Sequence, residues 1–398
     1  MAKRVVMTGN ETVAEAVRQI NPDVVAAYPI TPSTAVVEYI SQYVADGLID
    51  TEFVTAESEH SALSACIGAA AGGGRVMNAT SAQGLALMWE MLYIASAMRL
   101  PMILAVVNRA LSGPINIHGD HSDTMGARDC GWIQLYSEDC QEVYDNMLQA
   151  VRISEHIDVR TPVIVALDGF ITSHAIDTLE TERDEDVKKF IGDYITLNSI
   201  LDTKNIVTYG AIDFQDYYFE HKRQQLEGLH KSAEIIKSVG EEFGRTFGRE
   251  YGFFEGYKLD DAEYAIVAMN SAAGTIKTVI DDLREEGVKA GLLKLRVFRP
   301  FPAAEIAEAL KTMKVVAILD RTSTAGAQGG PLFSEIRSAL YSESNCPGIV
   351  NYIYGLGGKD LTPEHIRYVY DTLRRIDKTG KIDRLVDYLN LREEGGQD

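Results

Sequence analysis

Four short stretches of this chain place hydroxyls, carboxylates, amides or a guanidinium directly after an apolar run. They are Tyr28-Pro29-Ile30-Thr31-Pro32-Ser33, Glu57-Ser58-Glu59, Thr80-Ser81-Ala82-Gln83-Gly84 and Asn108-Arg109-Ala110. Each also has a plain structural reading. Two prolines make the first a stiff turn that presents the Thr31 hydroxyl, with Ser33 or Thr34 as helix cap. Glu57 and Glu59 suit a helix N-terminus through its dipole, or offer a carboxylate to a ligand. The third stretch is a hydrogen-bonding shelf at a helix start, without the spacing of the phosphate loops G-x-x-x-x-G-K-[ST] or G-x-G-x-x-G. Arg109 can bind a ligand carboxylate, worth up to ~4 kcal/mol in raw Coulomb terms at about 4 Å and an effective dielectric of about 20. It can equally pair with a neighbouring Asp or Glu. A long loop, Leu111 to Asp123, follows it. There His118, Asp120, His121 and Asp123 have metal-ligand chemistry, but nothing nearby completes a ligand set. No nucleophile–base pair is evident, so an organic cofactor would have to carry a reaction.

These stretches matter only if one scaffold brings them together. Patterning predicts strands at Val24–Tyr28, Glu52–Thr55, Arg75–Ala79, Met102–Val107 and Pro162–Asp168. Helices are predicted at 11–19, 35–46, 57–71, 84–98 and 142–156. Such alternation implies a mostly parallel sheet covered by helices. Ligands of open α/β sheets bind outside the carboxyl ends of the strands, so the four turns should meet at one edge. That edge suits a polar, carboxylate-bearing ligand.

From Asp177 the composition changes. The stretch 180–193 is crowded with charge and has no strand pattern, and 215–254 reads as a helical arm. Alternation resumes at Ala262, with Gly291–Phe298 among the predicted strands. The expected organisation is a first α/β domain at 1–176, a connector with helices at 177–259, and a smaller α/β domain at 260–398. The length, 398 residues, fits two domains and a connector at ~150 residues per domain. The segment from Val207 through Tyr218 is a further candidate to reach the site.

Lys and Arg number 38 against 58 Asp and Glu, a net charge of −20 that disfavours nucleic acid and anionic membranes. The four cysteines, Cys66, Cys130, Cys140 and Cys346, are scattered. Neither a disulfide framework nor a metal cluster is indicated. No signal-peptide pattern or membrane-length apolar run is seen, so a cytoplasmic protein is expected.

In this order the motifs resemble the alpha chain of the pyruvate:ferredoxin oxidoreductase family, the 2-oxoacid:ferredoxin oxidoreductases. The resemblance covers nearly the whole chain. It rests on Gly9-Asn10-Glu11-Thr12-Val13-Ala14, Tyr28-Pro29-Ile30-Thr31-Pro32-Ser33, Glu57-Ser58-Glu59, Thr80-Ser81-Ala82-Gln83-Gly84-Leu85 and Asn108-Arg109-Ala110-Leu111-Ser112. Further on it rests on Arg296-Val297-Phe298-Arg299-Pro300-Phe301-Pro302, Asp320-Arg321 and Tyr354-Gly355-Leu356-Gly357-Gly358-Lys359-Asp360.

The resemblance implies that the first domain binds the pyrimidine half of thiamine diphosphate and that the second resembles the transketolase C-terminal domain. Glu59 matches the glutamate that hydrogen-bonds the aminopyrimidine ring. Thr31 and Arg109 match positions that hold the substrate carboxylate and carbonyl, and Tyr28, Pro29, Ile30, Ser81 and Gln83 are implied as cofactor contacts. The implied reaction is oxidative decarboxylation of pyruvate with coenzyme A to acetyl-CoA and CO2, electrons passing to ferredoxin. Alternatives are phenylglyoxylate, a branched-chain 2-oxoacid, oxalate or 2-oxoglutarate as substrate, or a non-catalytic structural subunit. The chain lacks the Gly-Asp-Gly motif that holds Mg2+ at the diphosphate, and it has no metal site of its own. A beta chain is therefore implied to carry the diphosphate, Mg2+ and a [4Fe-4S] cluster, with gamma and delta chains completing the complex. A dinucleotide dehydrogenase is disfavoured, because no G-x-G-x-x-G follows a strand.

Overall fold

The run ending at Asp168 shows why sheets form here. Val163, Val165 and Leu167 enter one core, while Ile164 and Ala166 enter another. A strand apolar on both faces must be covered on both, which parallel strands with crossover helices achieve. In the computed structural model, which describes residues 2–392, this happens twice.

The chain begins with β1 (Lys3–Thr8) and α1 (Gly9–Ile20), whose start is closed by a reciprocal Thr8–Glu11 capping box. There follow β2 (Val24–Ala27), α2 (Thr34–Ala45), β3 (Glu52–Thr55), α3 (Glu59–Gly72), β4 (Val76–Thr80), α4 (Ala82–Leu87) and α5 (Trp89–Ala97). Next come β5 (Ile103–Asn108), α6 (Ser122–Gly126), β6 (Ile133–Ser137), α7 (Cys140–Glu155) and β7 (Val163–Asp168). The middle of the chain holds β8 (Ile176–Thr181), α8 (Asp184–Ile191), α9 (Tyr218–Phe247) and β9 (Phe254–Tyr257). The rest is β10 (Tyr264–Ala268), α10 (Ala272–Glu285), β11 (Ala290–Leu295), β12 (Val297–Arg299), α11 (Ala303–Leu310) and β13 (Val315–Asp320). It closes with α12 (Pro331–Leu340), β14 (Gly348–Ile353), α13 (Pro363–Thr379) and β15 (Val386–Tyr388).

The first sheet runs β12-β6-β7-β5-β4-β2-β3 and is parallel except for β12. The second runs β15-β14-β13-β10-β11-β9 and is parallel except for β9. β1 and β8 form a separate antiparallel ribbon. The fold is α/β, as the alternation predicts.

The structure differs from the pattern in informative places. The predicted strand Gly291–Phe298 is two strands in two sheets. β11 lies in the second sheet, while β12 pairs antiparallel with β6 at the edge of the first. The switch occurs at Arg296, which is 2% exposed. Its guanidinium donates to Asn146 Oδ1 at 2.7 Å, Gln149 Oε1 at 3.0 Å and the Gly252 carbonyl at 3.0 Å. Burial pushes its pKa down to about 10. Hydropathy cannot show this change of sheet, because both strands are buried. One core accordingly spans both sheets, joining Leu104 and Ile164 to Leu293 and Ile318.

The charged stretch starting at Glu180 is not wholly strandless. Glu180 and Thr181 end β8, whose partner lies at the beginning of the chain, so no local pattern marks it. The predicted helix 84–98 is broken at Met88 into α4 and α5. The helical arm is α9, 30 residues long and packed on α7. Among the described residues no helix is long and apolar enough to cross a membrane.

Candidate active site

Parallel pairing brings the carboxyl ends of β2, β3, β4, β5 and β7 to one edge, and the four polar stretches follow the first four of these strands. At β3 the structure separates the two glutamates. Ser58 caps α3 through the Ser61 N–H, and exposed Glu57 bonds the Ser61 hydroxyl. Capping is thereby accounted for without Glu59. Glu59 occupies the first helical position, is 6% exposed, and its carboxylate has no hydrogen bond or ion pair among the described residues.

What the carboxylate does touch is the shelf. A methyl built on Gly84 would lie 2.8 Å from Glu59 Oε1 and press against Thr80 Oγ1. Glycine in α4 is what lets Glu59 lie over the shelf. In the same stretch Thr80 Oγ1, Ser81 Oγ and Gln83 Oε1 are buried with no partner among the described residues. Each such group costs about 1–3 kcal/mol unless something bonds it. Neighbouring unpaired hydroxyls, an amide oxygen and a carboxylate fit a heteroaromatic ring that both donates and accepts. Gly84→Ala is expected to displace Glu59 and weaken binding of a ring held at this position at least tenfold, about 1.4 kcal/mol. Titration of the variant with such a ligand checks this, and unchanged affinity would remove the contact from the site.

At the end of β5, Arg109 is 7% exposed and makes no ion pair with an Asp or Glu among the described residues. It donates instead to the Thr31 carbonyl at 2.9 Å and the Asn116 carbonyl at 3.0 Å. Its second terminal nitrogen has no described partner. The Thr31 and Arg109 positions are thus brought together, though through the Thr31 backbone rather than its exposed side chain. Just before Thr31, Tyr28 and Pro29 are exposed and Ile30 is half-buried. Pro29, Thr55 and Ala56 line a shallow cavity of about 250 Å³ there. No hydrogen bond joins Glu59 to Thr31 or Arg109. The Ser81–Gly84 stretch is joined to Arg109 through Asp123, which bonds the backbone of both Ala82 and Arg109.

The loop after Arg109 is fastened to the second half of the chain. Asp120 accepts the Gly357 N–H at 3.1 Å, and the Asn116 amide donates to the Gly357 carbonyl at 3.0 Å. The His118 ring packs on Phe170. His121 donates its backbone N–H to the Arg321 carbonyl at 2.8 Å, and its Nε2 lies 2.9 Å from Asp168 Oδ1. The four His and Asp residues of this loop therefore have separate jobs, and no metal-binding cluster occurs among the described residues.

Sequence reasoning missed the group beneath this loop. Asp168, fully buried at the end of β7, pairs with Arg321 at 2.9 Å and accepts the Ser271 N–H at 3.1 Å. Burial alone would raise its pKa, but Arg321 and His121 outweigh burial and hold it well below the usual carboxylate range. The one available signal was an acidic residue closing a wholly apolar run.

The segment from Val207 through Tyr218 does not join Glu59 or Arg109. Its residues Thr208–Ala211, Asp213 and Tyr218 line a cavity of about 590 Å³ with Tyr93, Arg99 and Gln225, between α5 and α9. The chemistry gathered at the strand ends lies on an open edge instead.

Comparison with known proteins shows the family. Residues 15–241 match the family described as pyruvate flavodoxin/ferredoxin oxidoreductase, thiamine diphosphate-binding. Residues 262–366 match pyruvate:ferredoxin oxidoreductase core domain II. Pyruvate synthase subunit PorA of Thermotoga maritima is 52% identical, over 99% of each chain. Ketoisovalerate oxidoreductase subunit VorA of Pyrococcus abyssi is 40% identical, over 97% of this chain and 98% of its own. Two solved structures share the fold. The 2-oxoglutarate:ferredoxin oxidoreductase from Magnetococcus marinus, solved with 2-oxoglutarate, coenzyme A and succinyl-CoA bound, matches with TM-score 0.72 and 21% identity. That match covers 93% of this chain and 65% of the other. A split-gene transketolase, an inactive beta4 tetramer, matches with TM-score 0.54 and 11% identity, over 94% of this chain and all of the other.

Proposed function

The chain belongs to the pyruvate flavodoxin/ferredoxin oxidoreductase family, and from that membership we propose that it is the alpha subunit of a pyruvate:ferredoxin oxidoreductase. The observation that carries the reading is the full-length likeness to a pyruvate synthase subunit. The unpartnered Glu59 beside an unsatisfied polar shelf supports it. The reaction is oxidative decarboxylation of pyruvate with coenzyme A, electrons leaving to ferredoxin.

Thiamine diphosphate, when bound, supplies the electron sink that lets CO2 leave. This chain's part is to hold, orient and move protons. The Glu59 carboxylate, at a helix N-terminus and with no other bond, shares a proton with a pyrimidine ring nitrogen. Ser81 and Gln83, with Tyr28, Pro29 and Ile30, frame the ring. The Arg109 guanidinium, steadied by the Thr31 and Asn116 carbonyls, offers its remaining donors to the substrate carboxylate. Thr31 closes the substrate side.

A beta chain brings the diphosphate and Mg2+ site and a [4Fe-4S] cluster. Gamma and delta chains complete a cytoplasmic complex that reduces ferredoxin. The scattered cysteines fit this division, since this chain offers no clustered thiolates for iron–sulfur ligation.

A branched-chain 2-oxoacid is the second reading, favoured by the likeness to a ketoisovalerate oxidoreductase subunit. Assaying the native complex on a panel of 2-oxoacids with coenzyme A and a viologen acceptor separates the two. Highest kcat/KM on pyruvate is expected. Preference for a branched-chain acid would replace the first reading, and reduction with neither would sink both. Arg109→Ala is expected to lower kcat/KM for the acid by about 1–3 kcal/mol, roughly 5- to 150-fold. Steady-state kinetics check it, and an unchanged kcat/KM would remove Arg109 from substrate binding.

A further inference from the structure

One carboxylate lies between the shelf and Arg109. Asp123, in α6, is 3% exposed and has no ion pair among the described residues. Both its oxygens are fully used. Oδ2 accepts the backbone N–H of Ala82 at 3.1 Å and of Arg109 at 3.0 Å. Oδ1 accepts the Asn108 side-chain amide at 2.8 Å and the Thr124 N–H at 2.7 Å. Ala82 follows β4 and Arg109 follows β5, so one side chain ties two neighbouring strand ends.

Ala82 adds an independent observation. Its φ is +41°, in the left-handed region that side chains with a Cβ disfavour. Such a residue persists only where its surroundings hold it. Ser81 and Gln83, the shelf itself, stand on either side of it. Burial raises the Asp123 pKa to about 6 against the pull of its hydrogen bonds. The group thus stays in place through backbone and amide donors, without a cation. Only a carboxylate can accept at both oxygens and donate at neither. An asparagine here must turn its NH2 toward one of the two donor pairs.

We propose that Asp123 is a positioning residue that sets the Ser81–Gln83 shelf against Arg109 by binding the backbone of both, and that it holds Ala82 in its left-handed turn. This rests on reading the shelf as the cofactor position and Arg109 as the substrate position. Asp123 itself touches neither ligand.

The test uses the assembled complex with Asp123→Asn, with Ala82→Gly and with both. The readouts are subunit assembly, thermal midpoint, the Kd of thiamine diphosphate for the cofactor-stripped complex, and KM and kcat for the 2-oxoacid. Asp123→Asn is expected to assemble and to raise both the cofactor Kd and KM about tenfold, each about 1.4 kcal/mol. Ala82→Gly alone should stay within about twofold, because glycine adopts positive φ freely. The double variant should recover at least about threefold in cofactor Kd while KM stays raised, since glycine relieves the shelf but returns nothing to Arg109. General destabilisation would not divide the two ligands in this way.

Asp123→Asn within twofold on both ligands overturns the proposal, as does a double variant with no recovery of Kd. If Asp123→Asn alone does not assemble, the double variant is read instead. Regained assembly with raised KM supports the anchor, and failure to regain it overturns the anchor. Failure of the unsubstituted complex to bind thiamine diphosphate would instead sink the functional reading beneath it.

Discussion

Replacing Glu59 with alanine is expected to abolish 2-oxoacid decarboxylation by the assembled complex while leaving its thermal midpoint unchanged or slightly raised. The loss should be about 10²–10⁴-fold, the usual contribution of a positioned proton-transfer group. Stability should hold because the carboxylate bonds nothing among the described residues, so its removal orphans no donor. The lost dipole interaction, about 0.3–1 kcal/mol, is offset by no longer burying an unpaired carboxylate. Glu57→Ala is the control. That residue is exposed and bonded to Ser61, so its loss should leave both the midpoint and the activity nearly unchanged. Equal turnover in Glu59→Ala would remove Glu59 from the mechanism, and a large fall in midpoint would return it to a structural role.

That contrast shows what the sequence makes legible. Both glutamates sit at one helix start, and type and spacing cannot tell them apart. Only the path of the chain, with Ser58 capping and Gly84 leaving room, turns one outward and the other over the shelf. The first sheet is readable because its strands are short apolar runs alternating with helices, each visible in a window of local sequence. β8 and β12 are not readable in that way, since each is defined by a partner far along the chain. Arg109 illustrates the same limit. Its charge suggests an acidic partner, yet two carbonyls hold it, and carbonyls carry no sequence signature. His118, Asp120, His121 and Asp123 look like a cluster only in one dimension. In the fold they face Phe170, Gly357, Asp168 and the strand ends. The motif from Arg296 to Arg299 serves architecture, carrying the chain from one sheet to the other.

Asp168→Asn should be the most destabilising single change near the site, by about 3–5 kcal/mol, because it leaves Arg321 buried with its charge unpaired. Arg321 is 3% exposed and its partner fully buried, so water cannot replace the lost carboxylate. The pH behaviour follows from the sign of the shift. The folded pKa of Asp168 is depressed well below the ordinary carboxylate range. Its stabilisation is therefore fully present above the unfolded pKa and is lost as pH falls through the folded one. The difference between the two proteins should be the same at pH 6 and pH 8 and shrink only in strong acid. Asp168→Asn with Arg321→Met removes both charges and should recover much of the loss, as matched replacement of buried pairs does. Activity should fall with stability in the single variant. His121 loses its Asp168 contact there, and its backbone N–H to Arg321 holds the end of the loop that carries the Asn116 carbonyl to Arg109. Thermal melts of the three complexes at both pH values, with KM for the 2-oxoacid, decide the matter. A single variant melting with the unsubstituted complex would mean that the pair is solvated in solution and does not clamp the two sheets. A double variant no better than the single would mean that hydrogen bonds to Ser271 and His121, rather than the charge of Arg321, set the cost.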